Sequence, residues 1–267
     1  MRSEYREIQA ERIYVYPIGD VHIGDPNCDY DKLKTYLGWI ENSPDGIPRY
    51  AILTGDWCNV ATRSSASNPV EQELTLDNQM AEAHRLLSPI AGKILAAICG
   101  NHEDRLVKEA GFDPMRNICE RLNVPYLGYS GIVHLRIVGG MKRRHKEKIP
   151  SYIIYVHHTT GGGNTLGGKI NRVEKLRDIV SNADIYIGAH NHFEELGKAG
   201  IRFYDETRLK VRARERMFVD SGAFLKWDDS YAEAKQLNPG GTGCPRIELS
   251  GTEKMIQGNL FITEDNT

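Results

Sequence analysis

The stretch KILAAICGNHEDR, residues 93–105, joins an apolar run to a dense set of polar side chains. The run KILAAIC (93–99) has the length and the aliphatic content of a buried strand. Directly after it, GNHEDR places an amide, an imidazole and two carboxylates at Asn101, His102, Glu103 and Asp104. Acidic residues are common in the first helical turn, so a polar turn that begins a helix explains this stretch taken alone.

The first half of the chain repeats this order of strand and following segment. RIYVYPI (12–18) and RYAIL (49–53) are short apolar runs like 93–99, and each is followed by a segment long enough for a crossover helix. Residues 30–40 and 70–90 have apolar side chains at helical spacing, and Asn68 and Pro69 are typical of the start of the second helix. The pattern predicts βαβ units and a sheet that is parallel in this half.

The second half has a different pattern. GIVHLRIV (131–138) and SYIIYVH (151–157) flank a polar segment, which predicts a hairpin with a long turn. A helix is expected over about 169–181 and further strands over 193–220. The sequence has no internal repeat and no linker, so we expect one domain over residues 1–267, with either a mixed sheet or two packed sheets.

Composition excludes several classes of protein. With 40% hydrophobic and 26% charged residues, the chain is typical of a globular protein, and a net charge of −2 gives no overall attraction to nucleic acid or membrane. No signal sequence or membrane-spanning run is recognisable, so a cytoplasmic location is expected. The five cysteines lack CxxC spacing, which favours reduced, buried thiols; they are Cys28, Cys58, Cys99, Cys119 and Cys244.

Polar side chains follow five predicted strands at the point where each strand ends. These residues are Asp20, His22, Asp56, Asn101, His102, His157, His158, His190 and His192. Because the carboxyl ends of parallel strands meet in one crevice, these side chains are expected to converge. A single histidine is more often a core or surface residue, but six of the nine histidines at such positions favour a metal site.

The side-chain types indicate which metals fit. Imidazoles, carboxylates and an amide oxygen suit Zn, Mn, Fe, Ni or Mg better than softer ions. Asp20 and His22, like His190 and His192, are two residues apart, which would place each pair on one face of a regular strand, although a loop can change this geometry. Asp56 is a lone carboxylate with oxygens enough to bridge two ions.

The ordered set GD-x-H, GD, GNH-E, H and H-x-H, spread over residues 19–192, resembles the calcineurin-like metallophosphoesterase superfamily. The resemblance implies an α/β fold in which a two-layer mixed β-sheet sandwich is flanked by helices. It also implies phosphoester hydrolysis by a hydroxide that bridges two divalent ions, with Mn the first choice in vitro among Mn, Zn, Fe, Ni and Mg. It does not specify the substrate.

The resemblance also implies residue roles. Asp20, His22 and His192 would hold one metal, Asn101, His157 and His190 the other, and Asp56 would bridge them. His102 would be the catalytic histidine, oriented by Glu103. The sequence departs from the family pattern because Ala189 separates Gly188 from His190, and His157 and His158 compete for one position; we choose His157 as the first imidazole after the strand.

Substrate class is predicted from a basic segment, RLKVRARER. Its cations alternate, so a strand would present five charges on one face: Arg208, Lys210, Arg212, Arg214 and Arg216. Such a face could bind a nucleic-acid backbone, or it could be a solvated surface countered by nearby acids. We expect phosphodiesters, of nucleic acid or nucleotide type, ahead of phosphomonoesters or phosphoproteins. Trp57 could stack on a base or pack in the core.

Two interpretations from other classes remain. Residues 163–169 fit G-x-x-x-x-G-K, a phosphate-binding loop of nucleotide-binding proteins, but Ile170 stands where a hydroxyl would hold Mg²⁺. A flexible loop over a metal site explains the same glycines. A non-catalytic scaffold that keeps metals for structure is the other alternative, and the presence of His102 argues against it.

Overall fold

The protein is built from two β-sheets with helices on their outer faces. A computed structural model of the chain describes residues 1–62, 65, 69–139, 148–161, 165–228, 233 and 240–261. The strands in these residues are β1 (Arg2–Gln9), β2 (Arg12–Ile18), β3 (Arg49–Leu53), β4 (Ile94–Ala97), β5 (Ser130–Val138), β6 (Ser151–His157), β7 (Ile185–Gly188), β8 (Glu194–Asp205), β9 (Lys210–Ser221), β10 (Arg246–Ser250) and β11 (Ile256–Asn259). The α-helices are α1 (Tyr30–Asn42), α2 (Leu76–Leu87), α3 (Asn101–Ala110), α4 (Pro114–Leu122) and α5 (Leu166–Glu174).

The strand order confirms the two patterns expected for the halves of the chain. One sheet has five strands in the order β11-β10-β2-β3-β4, and its β2, β3 and β4 are parallel. The other has six strands in the order β1-β5-β6-β7-β9-β8, and its β5 and β6 form the expected antiparallel pair. Residues 140–147 of the predicted turn lie outside the described residues.

The two sheets pack face to face across an apolar core. Ile13 and Ile52 of the five-stranded sheet meet Val133, Ile154 and Ile187 of the six-stranded sheet, and all are fully buried. Helices α1, α2 and α4 cover the outer face of the five-stranded sheet, and α5 covers that of the other. Of the two architectures that the pattern left open, two packed sheets are present, and the expected αββα sandwich is confirmed.

Two helices begin at other residues than predicted. Helix α2 starts at Leu76, where the Thr75 hydroxyl accepts the Asn78 N–H, and Asn68 lies outside the described residues. Helix α5 starts at Leu166 behind the N-cap Thr165, and it continues as a 3-10 turn over Lys175–Asp178. The cap decides where each helix begins, and apolar spacing does not reveal it.

Strand β1 forms from residues whose charged composition indicates no strand. It pairs in parallel with β5 at the edge of the six-stranded sheet, and of its residues only Ile8 is buried. An edge strand that is open to solvent accommodates such charges.

Cysteine burial and helix length agree with the sequence analysis. All five cysteines are free thiols and buried, as predicted. Burial raises the pKa of the Cys28 thiol and of the Cys119 thiol to about 12 in each case. Among the described residues, no helix combines the length and the apolar character that crossing a bilayer would take.

Candidate metal centre

The polar strand ends converge at one edge of the sandwich. Asp20 and His22 follow β2, Asp56 follows β3, and Asn101 starts α3 just after β4. From the six-stranded sheet, residues after β6 and β7 reach the same place, including His190 and His192. Both sheets therefore contribute to one cluster, because the carboxyl ends of their parallel strands lie at the same edge.

A first group of potential ligands consists of Asp20, His22 and His192. The Asp20 Oδ1 atom lies 3.4 Å from His192 Nε2 and 4.0 Å from His22 Nε2. The two imidazole Nε2 atoms face each other at 3.2 Å. Asp20 is fully buried and His22 nearly so, so both side chains are removed from bulk solvent.

A second group consists of Asp56, His158 and His190. His158 Nε2 lies 3.1 Å from Asp56 Oδ2 and 2.9 Å from the Asn101 side-chain oxygen. Because His158 Nδ1 donates to the Thr54 carbonyl at 2.8 Å, its Nε2 is the atom that faces the cluster. The amide oxygen of Asn101 is therefore close enough to join this group.

The choice of His157 as a ligand is corrected by this geometry. Alternation along β6 turns Val156 and His158 toward the opposite sheet, whereas His157 shares the outer face of Tyr155, whose ring lies 6.4 Å away. His157 is not part of any group of potential ligands among the described residues. His158 takes the position that we had assigned to His157.

The cluster fits a divalent cation on the evidence of its own atoms. In the described part of the chain, the buried Asp20 Oδ1 and Asp56 Oδ2 atoms make no well-formed hydrogen bond, and the groups facing them are the ring nitrogens of His192 at 3.4 Å and His158 at 3.1 Å. Buried carboxylate oxygens without a donor are costly, and two imidazole nitrogens in mutual contact need a proton or a cation between them. Carboxylate, imidazole and amide donors suit Mn, Zn, Fe, Ni or Mg. These residues could thus hold a metal ion.

The backbone at the cluster is strained. Five potential ligands have left-handed φ angles, which side chains other than glycine rarely adopt: Asp20 (48°), His22 (53°), Asp56 (52°), His190 (79°) and His192 (51°). Each such residue costs about 1–3 kcal/mol and persists only where its surroundings hold it. The loops, rather than strand alternation, therefore set the geometry of the Asp-x-His and His-x-His pairs.

His102 lies at the edge of the cluster, at the start of α3. Its Nδ1 donates to the Asn59 carbonyl at 2.6 Å, and its backbone N–H donates to Asp56 Oδ1 at 2.8 Å. Its ring packs edge-on against His22, with centroids 4.4 Å apart. Nε2 is therefore left for the crevice. Asn59 could not be predicted from the sequence, since a backbone acceptor leaves no signal there.

Glu103 serves a different purpose from the one expected. Its carboxylate is fully buried and accepts the backbone N–H groups of Asp56, Trp57, Cys58 and Gly100 at 2.7–3.1 Å. Burial and the charge of Asp56 raise the pKa of Glu103 to about 8, against the effect of these donors. The Asn59 carbonyl, not Glu103, is the partner of the His102 ring. Glu103 instead fixes the loop that carries Asp56.

The carboxylates and imidazoles of the cluster shift each other's pKa values. Burial would raise the pKa of Asp56, but the imidazoles of His158 and His102 hold it well below its usual value. Burial would lower the pKa of His158, yet the Asp56 carboxylate raises it to about 10. The carboxylates and imidazoles therefore stabilise each other's charged forms in the absence of a cation.

Two other sequence candidates, Trp57 and the phosphate-loop motif, are not part of the ligand groups. Trp57 is fully buried and donates to the Ile18 carbonyl, so it cannot stack on a base. Lys169 is buried with its ammonium 4.6 Å from the Phe193 ring centroid, so it is not available to a nucleotide phosphate. Of the phosphate-loop sequence, residues 163 and 164 lie outside the described residues.

The basic segment lies near the amino end of β7, opposite the cluster. Arg208 is in the turn before β9, and the other four cations belong to β9 itself. Arg212 pairs with Asp205 at 3.0 Å and Arg214 with Asp184 at 3.3 Å. Arg216 is buried against Tyr186. Three of the five charges thus have partners within the protein.

A comparison with known families identifies a match over most of the chain. The model of the family described as calcineurin-like phosphoesterase matches residues 15–194, more than half of the 267 residues. The matched range contains all members of both ligand groups, together with His102 and Glu103. No curated protein matches the chain.

Proposed function

The chain belongs to the calcineurin-like phosphoesterase family and is a metal-dependent phosphoesterase, and on that premise we propose that it hydrolyses phosphodiesters with two divalent cations. The observation that carries the proposal is the pair of separate ligand groups that meet around Asp56. The first group is Asp20, His22 and His192, and the second is Asp56, His158 and His190. These two groups share no residue, and a third group of His22, Asp56 and His102 links them, which supports two adjacent cations rather than one.

The position of Asp56 supports a role toward both proposed cations. It belongs to the second group, and it also lies within ligand distance of His22, a member of the first. Its Oδ1 accepts the His102 N–H, whereas its buried Oδ2 faces His158 Nε2 at 3.1 Å and is the oxygen available to a cation. We infer that Asp56 bridges the two cations and that Asn101 adds its amide oxygen to the second.

The side chains divide the remaining work. A bound pair of divalent cations lowers the pKa of water and neutralises phosphoryl oxygens. His102, with Nδ1 fixed on the Asn59 carbonyl, presents Nε2 to the substrate and gives a proton to the departing oxygen. Glu103 keeps Asp56 in place through the loop amides.

Charge supports a diester over a monoester. Of the residues in the two ligand groups, only Asp20 and Asp56 are acidic, so two divalent cations leave a surplus of two positive charges. One hydroxide and the single charge of a diester neutralise that surplus. A dianionic monoester adds one more negative charge, which only the protonated His102 would balance until it gives up its proton, so a further basic side chain would favour that substrate.

The test compares two chromogenic substrates after metal exchange. The protein is stripped with chelator and restored with Mn²⁺, Zn²⁺, Ni²⁺ or Mg²⁺ in turn, and hydrolysis of bis(p-nitrophenyl) phosphate and p-nitrophenyl phosphate is measured with metal content. We expect two equivalents of metal and a higher kcat/KM for the diester. Activity on the monoester alone would refute the diester assignment, and one equivalent in the active protein would refute the two-cation centre.

A phosphomonoesterase is the second candidate, and Arg105 is the observation that favours it. Arg105 lies one helical turn after His102, and its guanidinium donates to the Val60 carbonyl at 2.9 Å, next to the residue that holds the His102 ring. It could supply the extra positive charge that a monoester needs. Under this alternative, Arg105→Ala abolishes monoester hydrolysis and spares the diester.

Nucleotide-type diesters are the substrates we propose within the diester class, and nucleic acid remains a predicted partner. Arg212 and Arg214 each pair with an acidic residue of the protein, and they lie at the opposite end of β7 from the cluster. The basic strand is therefore poorly suited to bind the phosphate backbone of a nucleic acid held at the cluster. Hydrolysis of single- and double-stranded DNA is compared with that of cyclic and dinucleotide diesters at two salt concentrations. DNA cleavage that weakens steeply with salt would restore a role for the basic strand.

A further inference from the structure

The loop after β7 carries two candidate ligands, His190 and His192, with Asn191 between them. Both histidines have left-handed φ angles, 79° and 51°. Backbone of this kind costs about 1–3 kcal/mol per residue and needs contacts from outside the loop to persist. Those contacts decide where the two imidazoles point.

One such contact comes from a buried carboxylate on β9. The Asn191 side-chain amide donates to Asp220 Oδ2 at 2.6 Å. Asp220 is fully buried, and it lies opposite Gly188 in the parallel pairing of β9 with β7. Its other oxygen has no hydrogen-bond partner in the described part of the chain. A strand of the core sheet thus fixes this acceptor directly behind the loop.

Two further bonds hold the residues just before Asn191. The Thr159 hydroxyl donates to the Ala189 carbonyl at 2.7 Å, and the His190 N–H donates to Asp20 Oδ2 at 2.9 Å. Three consecutive residues are therefore each bonded to a different element. Of the three contacts, the one from Asp220 is the last before His192, so it limits rotation at that residue most directly.

Lys169 lies behind the same contact. Its ammonium packs on the ring of Phe193, the residue after His192, and its charge acts to lower the pKa of Asp220, which burial raises to about 8. Lys169 is itself buried. The Lys169 ammonium and the Asp220 carboxylate thus lie between α5 and the ligand loop. Lys169, the lysine of the phosphate-loop motif, interacts here with the protein itself.

We propose that Asp220, acting through Asn191, is a positioning residue that holds His190 and His192 in the geometry a divalent cation requires. It does not contact the cation or the substrate. The proposal rests on the proposed function only in that the cluster binds cations. Groups that orient ligands in this way typically change metal affinity about 10–100-fold when they are removed.

The test measures cation binding directly. Chelator-stripped full-length protein is titrated with Mn²⁺ by calorimetry, for the wild type and for Asp220→Leu, Asn191→Leu and Asp220→Asn. The two leucine variants lose the bond and should bind Mn²⁺ about 10–100-fold more weakly. Asp220→Asn keeps an acceptor oxygen for the Asn191 amide, so its affinity should stay within about threefold of wild type.

Tyr152→Phe is the control for general destabilisation. The Tyr152 hydroxyl donates to the Ser250 carbonyl at 2.7 Å, and β6 carries this residue at the end opposite the cluster. This variant should lower the melting temperature without changing Mn²⁺ affinity. A weaker affinity in the control as well would mean that the losses reflect stability alone, and the proposal would be refuted.

Wild-type Mn²⁺ affinity in Asn191→Leu overturns the proposal. Because Asn191 is only partly buried, we expect this variant to fold, so it tests the proposal even if Asp220→Leu does not fold. The outcome is separate from that of the proposed function. A wild-type protein that binds Mn²⁺ but hydrolyses no phosphoester would refute the hydrolase, while the affinities of the variants would still support or refute the positioning role.

Discussion

His102 and Glu103 are neighbours in sequence, but their side chains point into different environments. In a helix, successive side chains point about 100° apart, so the His102 ring turns to the crevice while the Glu103 carboxylate turns to the loop amides. Substitutions at the two positions should therefore have different effects. One should affect chemistry and the other the architecture of the site.

Replacing His102 with alanine should remove the proton donor and leave the ligand groups intact. We expect turnover to fall about 10²- to 10⁴-fold, the usual contribution of a general acid. Metal content, measured by elemental analysis, should stay near that of the wild type. An empty site in this variant would instead make His102 a ligand, as its proximity to His22 and Asp56 permits.

Replacing Glu103 with alanine should destabilise the protein. Four buried N–H groups would lose their acceptor, and each unsatisfied group costs about 1–3 kcal/mol, so we expect at least about 4 kcal/mol less free energy of unfolding in urea. The neighbouring Asp104→Ala is the matched control, because that carboxylate pairs with Lys108 on the surface. Equal losses in both variants would contradict this assignment.

At this scale the sequence predicts residue types well and contacts poorly. Asp20, His22 and His192 meet as the resemblance implied. The choice between His157 and His158 failed because it depends on which face of β6 the last strand residue occupies. The partner of His102 is a backbone carbonyl, and any residue at position 59 would supply one.

The junctions between strands and their following segments are the elements that make the site. Gly55 and Gly100 lie where β3 and β4 end, and a Cβ atom on Gly55 would fall 2.5 Å from the Gly100 nitrogen. This close approach brings the Asp56 loop against the start of α3, so that Asp56 accepts the His102 N–H. A side chain at either glycine would separate the two elements.

Gly100→Ala tests that junction. Its Cβ would lie 2.0 Å from Asp56 Oδ1, so the carboxylate must move. We expect loss of bound metal, at least about a 100-fold drop in turnover and a cost of about 1–3 kcal/mol in stability, as for overpacking of a core. Gly92→Ala is the control, since its Cβ would meet nothing within 4 Å. Wild-type metal content in Gly100→Ala would contradict the prediction.

Elements were predictable where pattern alone decides them. The parallel β2, β3 and β4 and the antiparallel β5 and β6 follow from apolar runs and from the segments between them. The starts of α2 and α5 were not, because Thr75 and Thr165 fix them through single hydrogen bonds. β1 was missed because pairing with β5, rather than its own composition, makes it a strand.

Across the whole molecule, the cluster joins the two sheets. Asp20 and Asp56 come from the five-stranded sheet, and His158 and His190 come from the six-stranded one. A bound cation would therefore connect segments far apart in the chain. The shared apolar core and this joint site support the prediction of a single catalytic domain over residues 1–267.

Cation binding should consequently stabilise the entire fold. Saturation at 100 times Kd should raise the free energy of unfolding by about 2.7 kcal/mol for each independent cation. Melting temperature measured against Mn²⁺ concentration should rise accordingly, and Asp56→Ala should flatten the dependence. A melting temperature that does not respond to Mn²⁺ in the wild type would show that the cluster binds no cation in the folded state.

The buried cysteines can be used to measure local unfolding of the protein. Four of them, Cys28, Cys58, Cys119 and Cys244, belong to the apolar cluster under α1, α2 and α4, and Cys99 follows β4, so a thiol reagent reaches each only when packing around it is broken. The labelling rate of each cysteine, measured by mass spectrometry, would then report how often the packing around it opens. No cysteine has to be introduced, and the native enzyme should survive oxidising handling without forming wrong cross-links.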